Sequence, residues 1–200
     1  MSEFYGDDYS ETDPFEDDLY DDQLVDRDDP VLVLIDLQER LMPAVADQET
    51  VIENVVRLVK LAGLMGMPVV VTEQKKLGPA VAPLREVLAD YSPVEKVVFN
   101  CFDDPVFVER LVESERRTMI LTGAETHICI VQTALQGLNN GYRVQVVADA
   151  VSSRTVENRE RALTRLGMAG VPVTTTEMLI FEMVRRADID EFKSVLNIIK

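Results

Sequence analysis

From residue 30 onward the chain alternates short unbroken apolar runs with longer segments whose apolar residues recur every three or four positions. Unbroken runs suit strands covered on both faces. Recurrence near 3.6 suits amphipathic helices. The first kind predicts strands over 31–36 (VLVLID), 68–73 (PVVVTE), 94–99 (VEKVVF), 117–123 (RTMILTG), 143–149 (RVQVVAD) and 171–176 (VPVTTT). The second predicts helices over 49–64, 83–88, 105–114, 125–138, 157–168, 177–187 and 189–199. Gly66, Pro68 and Gly141 stand where helix must give way to strand. Strand–helix alternation with right-handed crossovers gives an α/β fold of three layers, αβα, around a six-stranded, mostly parallel, doubly wound sheet. Such sheets gather their sites at the carboxyl ends of the strands, near the point where strand order reverses.

Residues 1–29 break this pattern. They carry thirteen Asp and Glu against one Arg, so −12 of the net −16 lies there. A segment so acidic and so poor in aliphatics cannot bury enough apolar surface to fold alone. It reads as an arm, separate from a domain over 30–200. Phe4, Tyr5, Tyr9, Phe15 and Tyr20 complicate that reading, because solvated acidic tails usually lack rings. A solubilising arm and an arm whose rings dock on the body or on a neighbouring subunit both fit. The rest of the chain carries only −4 and no Lys/Arg cluster, which argues against nucleic acid as a partner. No apolar run nears the roughly 18 residues of a membrane helix. The acidic start lacks the basic and apolar regions of a secretory signal. Two cysteines, Cys101 and Cys129, make no disulfide framework, and a reducing cytoplasm is the simplest compartment.

Chemistry concentrates at three predicted strand ends. Asp36 follows five apolar residues and is either a backbone cap or a working carboxylate. Lys96 interrupts an apolar strand. It needs a carboxylate partner if buried, or it guards an edge strand against aggregation. Cys129 falls in the first turn of the helix after the fourth strand, where free backbone N–H groups favour a thiolate. A lone cysteine in an apolar helix is equally compatible with inert packing. Together the three are more pointed, because a nucleophilic thiol needs a base and an electrostatic partner. His127, the only histidine, is two residues from Cys129, and such positions do not face each other on a helix. A carboxylate, Asp36 held by Lys96, is therefore the expected base. Gln38, Glu73, Gln74, Asn100 and Phe102 lie close enough in sequence to these ends to line a substrate pocket. Gln38 is equally able to bond local backbone. Cys101 reads as a packed neighbour.

The segments VLVLIDLQERL, VVVTEQKKLGP, VEKVVFNCF and TMILTGAETHICIVQTALQGLNNGYRVQVVADAVSSRT resemble the isochorismatase-like cysteine hydrolases over about residues 30–181. The resemblance implies Asp36 as general base and acid, Lys96 as its partner and Cys129 as nucleophile. It also implies a cis peptide at Ala124–Glu125, which aims the N–H groups of Glu125 and Cys129 at an oxyanion, with Thr126 in the pocket wall. It further implies a homo-oligomer acting on a small molecule. Nicotinamidases of this superfamily hold a metal through an Asp and two His, and TEQKKLGPAVAPL has no histidine. No metal and no organic cofactor are therefore expected. True isochorismatases lack the cysteine. The expected activity is hydrolysis of a C–N bond in a small amide, imide or ureide through a thioester on Cys129. A catalytically silent or redox-sensing protein on the same fold is the alternative.

Overall fold

The first strand, β1 (Pro30–Ile35), is buried at every position and sits in the middle of the sheet. Its alternation splits the core. Leu32 and Leu34 face one cluster, Val31, Val33 and Ile35 the other. The computed structural model describes residues 24–200. Around β1 the chain forms α1 (Gln48–Met65), β2 (Val69–Gln74), α2 (Ala82–Val87), β3 (Val94–Lys96), α3 (Pro105–Glu113), β4 (Thr118–Ala124), α4 (Val131–Asn139), β5 (Arg143–Ser152), α5 (Val156–Met168), β6 (Val173–Thr174), α6 (Thr176–Val184) and α7 (Phe192–Ile199). The six strands pair in parallel throughout, in the order β3-β2-β1-β4-β5-β6.

The two faces bury different helices. Leu58 and Leu61 of α1, Leu84 of α2, Leu179 and Met183 of α6 and Val195 of α7 pack on one side. Phe107 and Leu111 of α3, Val131 and Ala134 of α4 and Leu166 of α5 pack on the other. These are the three layers that the apolar periodicity predicts. Strand order reverses between β1 and β4, so the carboxyl ends of those two strands flank the switch point.

Element lengths depart from expectation where polar chemistry intervenes. The third strand stops at Lys96, whose register partner Gln74 is the last residue of β2. Val97 and Phe99 are then exposed. The sixth strand shrinks to two residues, because Thr175 turns to cap α6 by accepting from Met178 N–H. The fifth runs longer, to Ser152, with a register shift against β4 between Leu121 and Gly123. Gly123 has φ +114, and a Cβ there would lie 2.0 Å from the Ile35 carbonyl oxygen. Only glycine lets β4 lie this close to β1 beside Asp36.

The segment 24–29 is tied to the body. Val25 is fully buried and its carbonyl accepts from Arg185 at 3.1 Å. The Asp29 carboxylate accepts from Arg117 N–H at 3.0 Å and from the Thr118 hydroxyl at 2.7 Å. Whether the rings of the acidic arm dock is a question about Phe4, Tyr5, Tyr9, Phe15 and Tyr20, which lie outside the described residues.

Candidate active site

Three strand ends converge. Asp36 closes β1 with a left-handed backbone, φ 53°, that turns its carboxylate into the sheet's carboxyl edge. Lys96 ends the edge strand β3 but points inward and is 1% exposed. Its edge position is thus not a guard against aggregation. Its Nζ lies 2.7 Å from Asp36 Oδ2, 2.8 Å from Gln74 Oε1, 3.2 Å from the Val98 carbonyl and 3.8 Å from Cys129 Sγ. Three oxygen acceptors use the three ammonium protons, which is what a buried lysine requires. The Thr72 hydroxyl donates to Asp36 Oδ1 at 2.9 Å.

Cys129 is not in the first turn of α4. It lies in a separate π-helical turn, Thr126–Ile130, between the cis peptide Ala124–Glu125 and that helix. Its surroundings also reverse the expected acidity. Burial pushes the thiol up, the negative charge of Asp36 adds to it, and the Lys96 ammonium opposes without prevailing. The resting sulfur is a thiol, kept protonated by burial and by the nearby Asp36 carboxylate. Burial pulls the Lys96 ammonium down, but the Asp36 carboxylate that it pairs with outweighs this, and its pKa stands above the usual value. Burial lifts Cys101 to about 11, with Lys96 opposing. Cys101 is fully buried, and its N–H donates to the Thr133 hydroxyl at 3.0 Å.

These raised values fix a pH dependence. A native thiol that keeps its proton above the unfolded pKa of about 8.5 binds more protons than the unfolded chain, so stability falls as pH rises. Lys96, also raised, loses its stabilisation as pH climbs past its unfolded value of about 10.4. We expect a melting temperature that is steady near neutrality and declines above about pH 8.5. Melting curves across that range check it, and the decline should be shallower in Cys129→Ala.

The other expected residues divide. Gln74 joins the cluster through Lys96. Gln38 does not present a free amide: its Nε2 donates to the carbonyls of Gln74 and Gly78, and its Oε1 accepts from Gln74 N–H. It clamps the 74–80 loop. Glu73 faces the opposite side of β2, accepting from Ala80 N–H and from the Tyr91 hydroxyl. Asn100 caps a turn by accepting from Phe102 N–H. Phe102 packs edge-on against Phe107 and beside Tyr142, within the α3–α4 layer. Thr126 is fully buried, and its hydroxyl has no partner among the described residues.

Two groups went unread in the sequence. Thr72 was recoverable, since it shares the period-two face of Gln74. Arg154, from the loop after β5, pins Glu125 through its N–H and its Nε at 2.9 and 3.0 Å. His127 Nδ1 meets the Ser153 hydroxyl at 2.9 Å beside it. Loop residues carry no periodicity that would have shown them. Among the described residues, no three His, Cys, Asp or Glu side chains group so as to hold a metal ion, and no helix is long and apolar enough to cross a membrane.

Comparison with known proteins agrees with this arrangement. The isochorismatase domain model matches residues 30–178. A Phytophthora sojae protein described as a secreted isochorismatase effector is 39% identical over 178 residues, covering 85% of this chain and 84% of its own. Mouse isochorismatase domain-containing protein 2A is 37% identical, covering 85% and 82%. A Caenorhabditis elegans structure described as a MAR1 ribonuclease superposes with a TM-score of 0.82 at 34% identity, covering 88% of this chain and 92% of that one. Escherichia coli YcaC, described as an octameric hydrolase of unknown specificity, gives 0.82 at 25% identity, covering 88% and 90%. The chain thus belongs to the isochorismatase-domain family of hydrolases.

Proposed function

We propose that this hydrolase cleaves the C–N bond of a small amide, imide or ureide through a thioester on Cys129. One observation carries the reading: a cysteine thiol, a carboxylate and an ammonium meet in one buried cluster, with Lys96 Nζ 2.7 Å from Asp36 and 3.8 Å from the sulfur. Because the thiol rests protonated, attack and proton transfer are coupled. Asp36 takes the Sγ proton as sulfur bonds to the carbonyl carbon. The N–H groups of Glu125 and Cys129 receive the oxyanion, an arrangement whose donors are each worth about 3 kcal/mol of barrier. On collapse the C–N bond breaks and Asp36 returns the proton to the leaving amine. Water then attacks the thioester, giving its proton to Asp36, which hands it back to the departing sulfur. Lys96 stays charged throughout, orienting the carboxylate and offsetting the negative charge on sulfur.

The unpartnered Thr126 hydroxyl supports a polar contact to the bound substrate. YcaC's octameric state, together with Val97 and Phe99 exposed directly after Lys96, supports a homo-oligomer. The ribonuclease description of the nematode relative is not carried over, since a body of net −4 gives a polyanion little electrostatic footing. A redox-sensing role is also less well supported, because oxidation follows thiolate character and exposure, and Cys129 is protonated and 6% exposed.

The test is acyl trapping. With p-nitrophenyl acetate, we expect one nitrophenolate released per chain in a burst, and one acetyl group on the Cys129 peptide by mass spectrometry. Slow linear release with no adduct on that peptide would remove the covalent route.

A further inference from the structure

The amino-terminal edge of the sheet, opposite the catalytic cluster, carries two adjoining cavities that share Tyr142. One, of about 310 Å³, is lined by Leu24, Val25, Thr118, Gln145 and Pro172. The other, of about 560 Å³, is lined by Val112, Glu115, Arg116, Arg117 and Asn140, so its cations outnumber its one carboxylate. Each lining contains a buried polar atom with no partner among the described residues: Gln145 Oε1, in a side chain 6% exposed, and Arg116 Nε. An acceptor and a donor left this way are costly unless something fills the space beside them. Leu24 and Val112 add exposed apolar surface at 50% and 64%.

The path of the chain says what could fill it. Residues 29 to 24 run along this edge, fastened at Asp29 to Arg117 and Thr118, at the Asp28 carbonyl to Arg116, and at Val25 to Arg185. They end at Leu24, in the wall of the first cavity. The 23 residues before it hold ten Asp and Glu, no Lys or Arg, and five aromatic rings. Ring and carboxylate chemistry therefore begin at the mouth of a groove that offers apolar surface, an orphaned acceptor and two arginines. Tyr20 is four residues from Leu24, so it reaches at most about 14 Å from it.

We propose that residues 15–23 dock back into this groove on their own chain, as an acidic brace. The Tyr20 ring enters beside Gln145 and its phenol donates to Oε1. Asp17, Asp18, Asp21 and Asp22 face Arg116 and Arg117. The brace lies at the edge of the sheet away from Cys129, so it steadies the fold and leaves the chemistry alone.

Full-length variants test this by thermal melting at about 0.01 M and about 1 M salt, where the screening length is roughly 30 Å and 3 Å. Asp17, Asp18, Asp21 and Asp22 changed together to Asn should lower the melting temperature by roughly 3 °C at low salt and not at high salt. Tyr20→Ala should lower it at both, and the Phe4→Ala, Tyr5→Ala variant should match the parent. Acetylation of Cys129 should be unchanged in all of them. Equal melting of parent and variants at low salt overturns the brace. A shift that disappears on dilution assigns the groove to a neighbour's arm instead. Loss of acetylation places the arm at the catalytic edge. Each of these outcomes rejects the proposal while leaving the hydrolase reading to its own test.

Discussion

Cys129→Ala is expected to abolish turnover, by about four orders of magnitude or more, while the fold stays intact. The two halves of that expectation have separate causes. Turnover goes because no other group near the carbonyl position can form the acyl bond; Cys101 is fully buried against Thr133 and its thiol is lifted to about 11. The fold stays because one sulfur atom is removed while the Asp36–Lys96 pair, its Gln74 and Val98 contacts and the Thr72 hydrogen bond all remain. Hydrolysis of a small-amide panel and of p-nitrophenyl acetate measures the first half, circular dichroism and melting the second. Undiminished hydrolysis would remove the mechanism. Asp36→Asn provides the complementary result. Its amide oxygen can still accept from Lys96, but it cannot take the Cys129 proton, so both half-reactions should stall. A thioester accumulating in that variant would show that attack proceeds without this carboxylate.

The residues that were readable in the sequence are those whose environment is dictated by burial. VLVLI and TMILT sit in the two central strands, covered on both faces, so an unbroken apolar run was the right signal. Lys96 was readable because an ammonium inside an apolar run demands a counter-charge, and only a strand end could supply one. Glu73 lies away from the cluster, as strand periodicity dictates. Strand alternation puts Thr72 and Gln74 on the face that meets Asp36 and Lys96, and Glu73 on the other. Phe102 and Asn100 follow Lys96 closely in sequence, but the chain leaves the sheet at that point and carries them into the α3 layer. The acidity of Cys129 departs from the sequence expectation for a different reason. Proximity to a helix start favours a thiolate, yet burial and the adjacent Asp36 carboxylate oppose it more strongly, and the depth of burial is not visible in a linear pattern.

Removing the ammonium should be the most destabilising single change at the site. Lys96→Met leaves the Asp36 carboxylate 1% exposed with the Thr72 hydroxyl as its remaining side-chain donor, and strips Gln74 Oε1 and the Val98 carbonyl of their shared proton source. Breaking one side of a buried pair costs about 3–5 kcal/mol, because the surviving charge is left uncompensated. For a chain of this size that corresponds to a fall of roughly 10 °C in melting temperature. Adding Asp36→Asn to Lys96→Met removes the orphaned charge as well, so the double variant should regain most of the lost stability. It should regain none of the activity, since it has neither proton acceptor nor cation. Chemical denaturation of parent, single and double variants at neutral pH measures the stabilities, and acetylation of Cys129 measures the function. A single variant as stable as the parent would mean that the pair carries no electrostatic weight in the fold. A double variant that acylates at the parent rate would mean that the couple serves packing alone.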